Sequence, residues 1–311
     1  MGDAAEELGL EGKVRPEQLT AMLTGRNPVD GEPLLGRQGV PGNGSVPGFD
    51  LTFSAPKSVS LLWGLGGIHA AAEVNEAHQA SVEAALGYMQ REACWTRRGA
   101  GGSEFVQGNG YLAVAYLHRS SRSGDPQLHT HVLIANATEG PDGRWTRLYH
   151  PAIYEHAKTA SYIYEANLRH ELTQRLGVEW REPRRGIAEI EGFADEHLRA
   201  FSTRRAEILE VAGPGASARS RQVAALTTRE AKEHDVSRVE MIERWQRRAA
   251  EIGLDSEAVS RTFDPEAFRA PRAPADDRTV SAGQVDRAVT SGALSERRSS
   301  CRTRSGAKCR V

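Results

Sequence analysis

The sequence predicts an α+β domain, and three observations carry that prediction. Three runs alternate apolar and polar side chains as strands do: Phe49–Ser54 (FDLTFS), Gly110–His118 (GYLAVAYLH) and Leu128–Asn136 (LHTHVLIAN). The last two are joined by the polar stretch Arg119–Gln127, with Gly124 and Pro126 as turn formers, so they can pair as an antiparallel hairpin with a long loop. Apolar residues at spacings of three and four mark long helices on both sides of them.

In chain order, a short helix is expected over Glu6 to Gly25, with Pro16 early, Leu19, Met22 and Leu23 on one side, and Gly25 as the stop. Asn27 to Gly48 is turn-rich. The strand Phe49–Ser54 sends Phe49, Leu51 and Phe53 to one face and Asp50, Thr52 and Ser54 to the other, which makes the second face polar and functional. After Pro56 the pattern becomes helical, and Val74, His78, Val82, Ala85 and Met89 form one stripe before Trp95 and the glycines Gly99, Gly101 and Gly102. His78 on that stripe reads as a core or boundary histidine.

Beyond the two later strands, Pro141-Asp142-Gly143 turns into Arg144–His150, an edge strand or its continuation. From Ile153 a helix carries Ala157, Ala160, Tyr164, Leu168, Leu172 and Leu176 on one face, with Gly177 as its cap. Gly177–Phe193 reads as a hairpin around Arg181–Gly186, and helices dominate from Asp195 to about Gly253. Past Pro265 the composition shifts to Pro, Ala, Asp, Arg and Ser. The last stretch, Ser295–Val311, has six Lys or Arg against one Glu and almost no apolar residue, so residues 254–311 are expected to be a linker and a basic, disordered tail.

Composition narrows the function classes. With 39% hydrophobic and 26% charged residues the chain is an ordinary globular protein. No apolar run approaches the roughly 20 residues of a membrane span, and no secretory leader is visible, so a cytoplasmic location is expected. Cys94 stands alone in a predicted helix, while Cys301 and Cys309 fall in the tail, which indicates neither a disulfide framework nor thiolate metal ligands. A net charge of −1 argues against a protein coated in positive potential, yet 40 basic residues leave material for a local basic groove. No G-x-x-x-x-G-K-[ST] occurs, and the glycines of Gly64–Gly67 and Gly99–Gly102 read as turn formers.

The chemistry concentrates on three histidines. His129 and His131 are two apart on a strand and share a face, and His118 returns opposite them if the two runs pair. Three neutral nitrogen donors aimed at one point, with coordination positions left open, suit a catalytic divalent metal better than a closed structural site. The alternative on spacing alone is a polar strand face with solvated histidines.

GFDLTFSAPKSVSLLW (Gly48–Trp63), the H-x10-H-x-H set within HRSSRSGDPQLHTHVLIAN (His118–Asn136) and their order resemble the relaxase domain of the TrwC/TraI (MobF) family of conjugative relaxases. The resemblance runs from Glu6 to about Gly253. It implies a palm-like antiparallel sheet carrying a three-histidine metal site, flanked by helices, with a C-terminal helical subdomain closing over single-stranded DNA. The relaxase-like domain then spans 1–253, with the sheet and metal site at about 48–193 and the helical fingers at about 194–253. The implied activity is metal-dependent nicking of one DNA strand at a transfer origin, a phosphotyrosine intermediate, and a second transesterification that reseals the strand. The implied partners are single-stranded or hairpin DNA at that origin and other proteins of the transfer complex. The chain itself is expected to be a monomer.

A divalent cation such as Mg²⁺, Mn²⁺ or Zn²⁺ on His118, His129 and His131 would polarise the scissile phosphate. Asp50 matches the acidic residue that orients a metal histidine in the family; on its own it also reads as a strand-end carboxylate. Lys57, at a predicted helix entrance, suits a phosphate contact with Ser54 and Ser58 as hydroxyl donors, or is simply a solvated lysine. Arg119, Arg122, Arg144 and Arg147 near the metal strands, and Arg181, Arg184 and Arg185 in the later hairpin, are further candidate DNA contacts. Trp95, Trp145 and Trp180 could stack on bases or be boundary aromatics.

One departure matters. The family's nucleophile is a tyrosine close to the N-terminus, and no tyrosine here precedes Tyr88. The resemblance therefore assigns no nucleophile, and it leads us to expect that the first strand and the catalytic tyrosines are missing through truncation, with a second truncation or frameshift at the C-terminal end. Two other functions stay open: a non-cleaving remnant that binds single-stranded DNA, and a metal-dependent phosphodiesterase that uses water with Asp50 as general base.

Overall fold

A computed structural model describes residues 1–36, 46–228, 237–264 and 267. The chain begins with two helices, α1 (Asp3–Glu7) and α2 (Pro16–Leu23), where the sequence predicts one. Gly9 and Gly12 between them take φ values of 65° and 73°, which interrupt a helix and which glycine adopts freely. Pro16 opens α2, its fixed φ already helical. Residues 37–45 of the turn-rich stretch lie outside the described residues.

Strand β1 (Gly48–Ser54) follows as expected. The helical pattern after Pro56 resolves into α3 (Lys57–Leu65) and α4 (Gly67–Ala93), because Gly67 turns the chain at φ 83°. A hairpin of β2 (Trp95–Arg98) and β3 (Glu104–Gln107) comes next, closed by the glycines the sequence marks as a turn. Its four-residue strands are too short to show a period, so only the turn was readable. Then come β4 (Ala113–Ser120), β5 (Pro126–Ala135), and the short pair β6 (Thr138–Glu139) and β7 (Trp145–Thr146). The expected strand Arg144–His150 is thus mostly a connector, and His150 already opens the next helix.

That helix, α5 (His150–Leu176), ends at Gly177 with φ 60°, the left-handed cap foreseen there. The stretch 177–193 folds back on itself through two isolated bridges, Trp180 to Ile190 and Arg184 to Ile187, without regular strands. Helices α6 (Asp195–Ala200), α7 (Thr203–Ala212), α8 (Ala218–Thr227), α9 (Arg238–Glu251) and α10 (Ser256–Ser260) complete the described chain. Ser217, Ser237 and Asp255 cap the last three with side-chain oxygens. The predicted tail lies outside the described residues.

The central sheet is antiparallel, in the order β1-β5-β4. One face is apolar: Phe53, Val132 and Ile134 pack against α3, α4 and α5, with Val74, Val82, Tyr164, Leu168 and Leu172 all buried. Burial of this face fixes the strand register, since a one-residue slip would turn every apolar side chain outward. The opposite face, which carries Asp50, Thr52, Ser54, His118, His129 and His131, is therefore held open. No helix of the described residues is long and apolar enough to cross a membrane.

Candidate metal centre

Strand register brings the histidines together. His118 lies opposite His129 across β4 and β5, and on the other side of β5 Ser54 faces His129 and Thr52 faces His131. The three imidazole rings form a triangle with centroid separations of 5.0, 5.0 and 5.3 Å, and their donor nitrogens all lie within 4.8 Å of one another. A metal bound at 2.0–2.1 Å spaces such nitrogens roughly 3–3.5 Å apart, which small ring rotations reach.

The outward nitrogens are already oriented. His131 Nδ1 lies 2.9 and 3.0 Å from the two Asp50 oxygens, and its proton is donated to that carboxylate. Thr52 Oγ1 is 3.0 Å from the same nitrogen and donates to Asp50 at 3.4 Å. His129 Nδ1 donates to the Gln127 carbonyl at 2.9 Å. Each ring thus presents Nε2 to the centre, the tautomer a ligand needs. The donor set fits a divalent cation, with positions left for water or a phosphate oxygen. Replacing Asp50 with alanine is expected to weaken divalent-cation affinity by about 10- to 100-fold, the usual cost of losing an outer partner; titration of Mn²⁺ by calorimetry checks it.

The loop between the metal strands is held down from outside. Asp125, 1% exposed, accepts hydrogen bonds from Thr203 N at 2.7 Å and Arg248 Nη1 at 2.8 Å, and Trp245 Nε1 donates to Gly124 O at 2.7 Å. Helices α7 and α9 are therefore fastened to the β4–β5 hairpin, a link between segments about 120 residues apart that spacing could not reveal. Arg248→Met is expected to cost about 3 kcal/mol of stability, because it leaves a buried carboxylate with only Thr203 as donor. Asp125→Asn is expected to cost less, since the Arg248 side chain is 40% exposed and can turn to water. Urea unfolding of both variants measures the difference.

Two residues read as phosphate contacts are occupied within the fold. Ser58 is fully buried: its N–H donates to Glu189 and its hydroxyl accepts from Ile190 N, so it cannot reach DNA. Lys57 donates to the Pro126 carbonyl at 2.7 Å, and burial pushes its pKa down to about 8. It clamps the start of β5 rather than projecting into solvent. Ser54 stays exposed at the end of β1, beside His129.

The arginines do not form one group. Arg119 follows His118 on β4 and Arg122 sits in the adjoining turn, whereas Arg144 lies 3.9 Å from Asp142, and Arg147 lines a cleft beside α5. Arg184 and Arg185 are exposed on a tip held to α5 by Arg169 and the Gly186 carbonyl, away from the histidines; Arg181 pairs with Asp195 at 2.6 Å. Trp95, Trp145 and Trp180 are all partly buried.

Tyr116 shares a face with His118 and lies opposite His131, so it is the tyrosine that the sheet brings to the histidines. Position in the chain argued against any role for it. The parity rule that found His129 and His131 would have found it too.

Comparison with known proteins follows this geometry. The TrwC relaxase family model matches residues 1–252. The multifunctional conjugation protein TraI of Escherichia coli is 36% identical over 309 residues, which covers 96% of this chain and 17% of TraI. The chain thus spans about a sixth of that relative. A structure of TrwC complexed with a 27-mer DNA comprising the recognition hairpin and the cleavage site superposes with a TM-score of 0.74 at 32% identity, covering 82% of this chain and 91% of that one. A copper-bound structure of TrwC with oriT DNA gives 0.73 at 31% identity, covering 82% and 87%.

Proposed function

The chain belongs to the TrwC relaxase family, and from that premise we propose that it acts on DNA of a transfer origin as a metal-dependent nicking and strand-transfer domain. The observation that carries this reading is the triangle of His118, His129 and His131 on an open sheet face, with Asp50 orienting one ring. A divalent cation there supplies Lewis-acid stabilisation of charge on the scissile phosphate. Asp50 and the Gln127 carbonyl fix the ring tautomers. Ser54, exposed beside His129, contacts the phosphate backbone, as do Arg119 and Arg122 near the metal strands.

The functional unit spans residues 1–253, with the helices from 194 onward covering bound single-stranded DNA. The protein works in the cytoplasm, as a monomer, on single-stranded or hairpin DNA and beside other transfer proteins. The relatives bound to origin DNA support the substrate class. An attacking group must still lie in line with the phosphorus. That nucleophile is assigned to no residue of this chain.

The test incubates the full chain with labelled single-stranded transfer-origin DNA and Mg²⁺ or Mn²⁺, followed by denaturing electrophoresis. A covalent protein–DNA product that disappears in His129→Ala supports strand transfer. Cleavage without an adduct would replace it with hydrolysis by water, and binding without cleavage would leave a DNA-binding module. Affinity that does not fall with salt would remove the DNA assignment altogether.

A further inference from the structure

Away from the histidines, a surface cleft of about 480 Å³ opens between β2, β7 and the start of α5, with Arg97, Arg147, Tyr149 and His150 in its wall. No carboxylate lines it. The Arg97 guanidinium is held between two rings, 4.9 Å from the centroid of Phe105 and 4.7 Å from that of Tyr149, so its position is fixed while its N–H groups remain available. Among the described residues neither Arg97 nor Arg147 has an acidic partner. Their neighbour Arg98 shows what a structural arginine looks like here: it grips both oxygens of Asp142, at 3.1 and 3.2 Å, and donates to the Arg144 carbonyl.

Two uncompensated guanidiniums, one of them immobilised, with an imidazole beside them form a receptor for a phosphate group. Its location decides which phosphate. His150 stacks on Phe49, 6.2 Å between centroids, and Phe49 stands five residues along β1 from Ser54, the partner of His129. At about 3.3 Å per strand residue the cleft is at least roughly 17 Å from the metal centre. One strand of duplex DNA spans that distance in roughly five nucleotide steps.

We propose that the Arg97/Arg147 cleft is a second, metal-independent phosphate site that holds the DNA backbone several nucleotides from the scissile phosphate. This assignment rests on the DNA-processing reading above. It acts by positioning: a strand gripped at both points has its register relative to the histidines fixed, with no base read in the cleft.

The test uses the full chain and a fluorescein-labelled oligonucleotide that folds into a hairpin with a single-stranded arm, with binding followed by anisotropy from 50 to 300 mM salt. Each lost phosphate contact removes about 0.7–0.9 from the slope of log affinity against log salt. Arg97→Gln/Arg147→Gln is therefore expected to flatten the slope by about 1.4–1.8, and Arg147→Gln alone by about half of that. Arg147 makes no hydrogen bond or ion pair through its side chain among the described residues, so the single variant guards against a folding defect at Arg97. Co²⁺ binding, read from its visible absorbance, is expected to match the unsubstituted chain in both variants. An unchanged slope with DNA still bound would overturn the cleft and leave the metal-centre reading standing. Absence of DNA binding by the unsubstituted chain would sink both. Broadening of the ³¹P signal of inorganic phosphate that is lost in the double variant, together with an unchanged DNA slope, would reassign the cleft to free phosphate and overturn the proposal.

Discussion

His129→Ala is expected to lower the affinity for a divalent cation by more than about 100-fold, beyond the range for loss of an outer partner. His129 occupies the middle strand, opposite both Ser54 and His118, and its Nδ1 bond to the Gln127 carbonyl fixes its ring without help from any other histidine. Removing it leaves two nitrogens on different strands, one of them supported only by Asp50. Two imidazoles still bind, but an open site that has lost one of three ligands retains little selectivity for its metal. The half-exposed position of the ring means that alanine leaves no core cavity, so the loss can be read without a folding defect. Calorimetric titration with Mn²⁺ or Zn²⁺ makes the measurement. The order His129→Ala worse than Asp50→Ala worse than unsubstituted is the signature of ligand and outer partner, and affinity within about threefold of the unsubstituted chain for His129→Ala would mean that the cluster is not a metal site.

What the sequence made legible follows from the range of each signal. The parity of His129 and His131, the polar face of Asp50, Thr52 and Ser54, and the cap at Gly177 are properties of a few neighbouring residues, and all are found as read. The pairing of His118 with His129 also held, because a short loop leaves few alternatives. Ser58 and Lys57 were misplaced for the opposite reason. A helix entrance looks anion-friendly in isolation, and only the return of residues 177–193, some 130 positions later, buries Ser58 and surrounds Lys57. Arg97 escaped notice because its meaning depends on Phe105 and Tyr149, which reach it from separate elements. The fastening of Asp125 by Arg248 is likewise a tertiary fact. Local periodicity therefore located the catalytic face, while the contacts that hold it and extend it required the fold.

Acidification is expected to destabilise the protein through His78, which lies beneath the metal face. The ring is 2% exposed, its Nδ1 2.8 Å from the Tyr164 hydroxyl and its Nε2 2.7 Å from Thr130 Oγ1. Burial, and then the charge of His129, push its pKa down to about 4 from the usual 6.5. Between those values the unfolded chain binds a proton that the folded chain refuses, so stability is complete above pH 6.5 and is lost as the pH falls toward 4. With each pKa unit worth 1.36 kcal/mol, the loss reaches about 3 kcal/mol at pH 4. Urea unfolding at pH 7 and pH 4 of the unsubstituted chain and of His78→Gln isolates it, since the carboxylates titrate alike in both. The unsubstituted chain is expected to lose about 3 kcal/mol more than the variant, and equal losses would show that the imidazole is protonated within the fold. Thr130 sits between His129 and His131 on β5 with its side chain on the opposite face. A neutral His78 therefore ties the strand that carries two metal ligands to both covering helices, and the acid limit of the metal centre is set by a residue that never touches the metal.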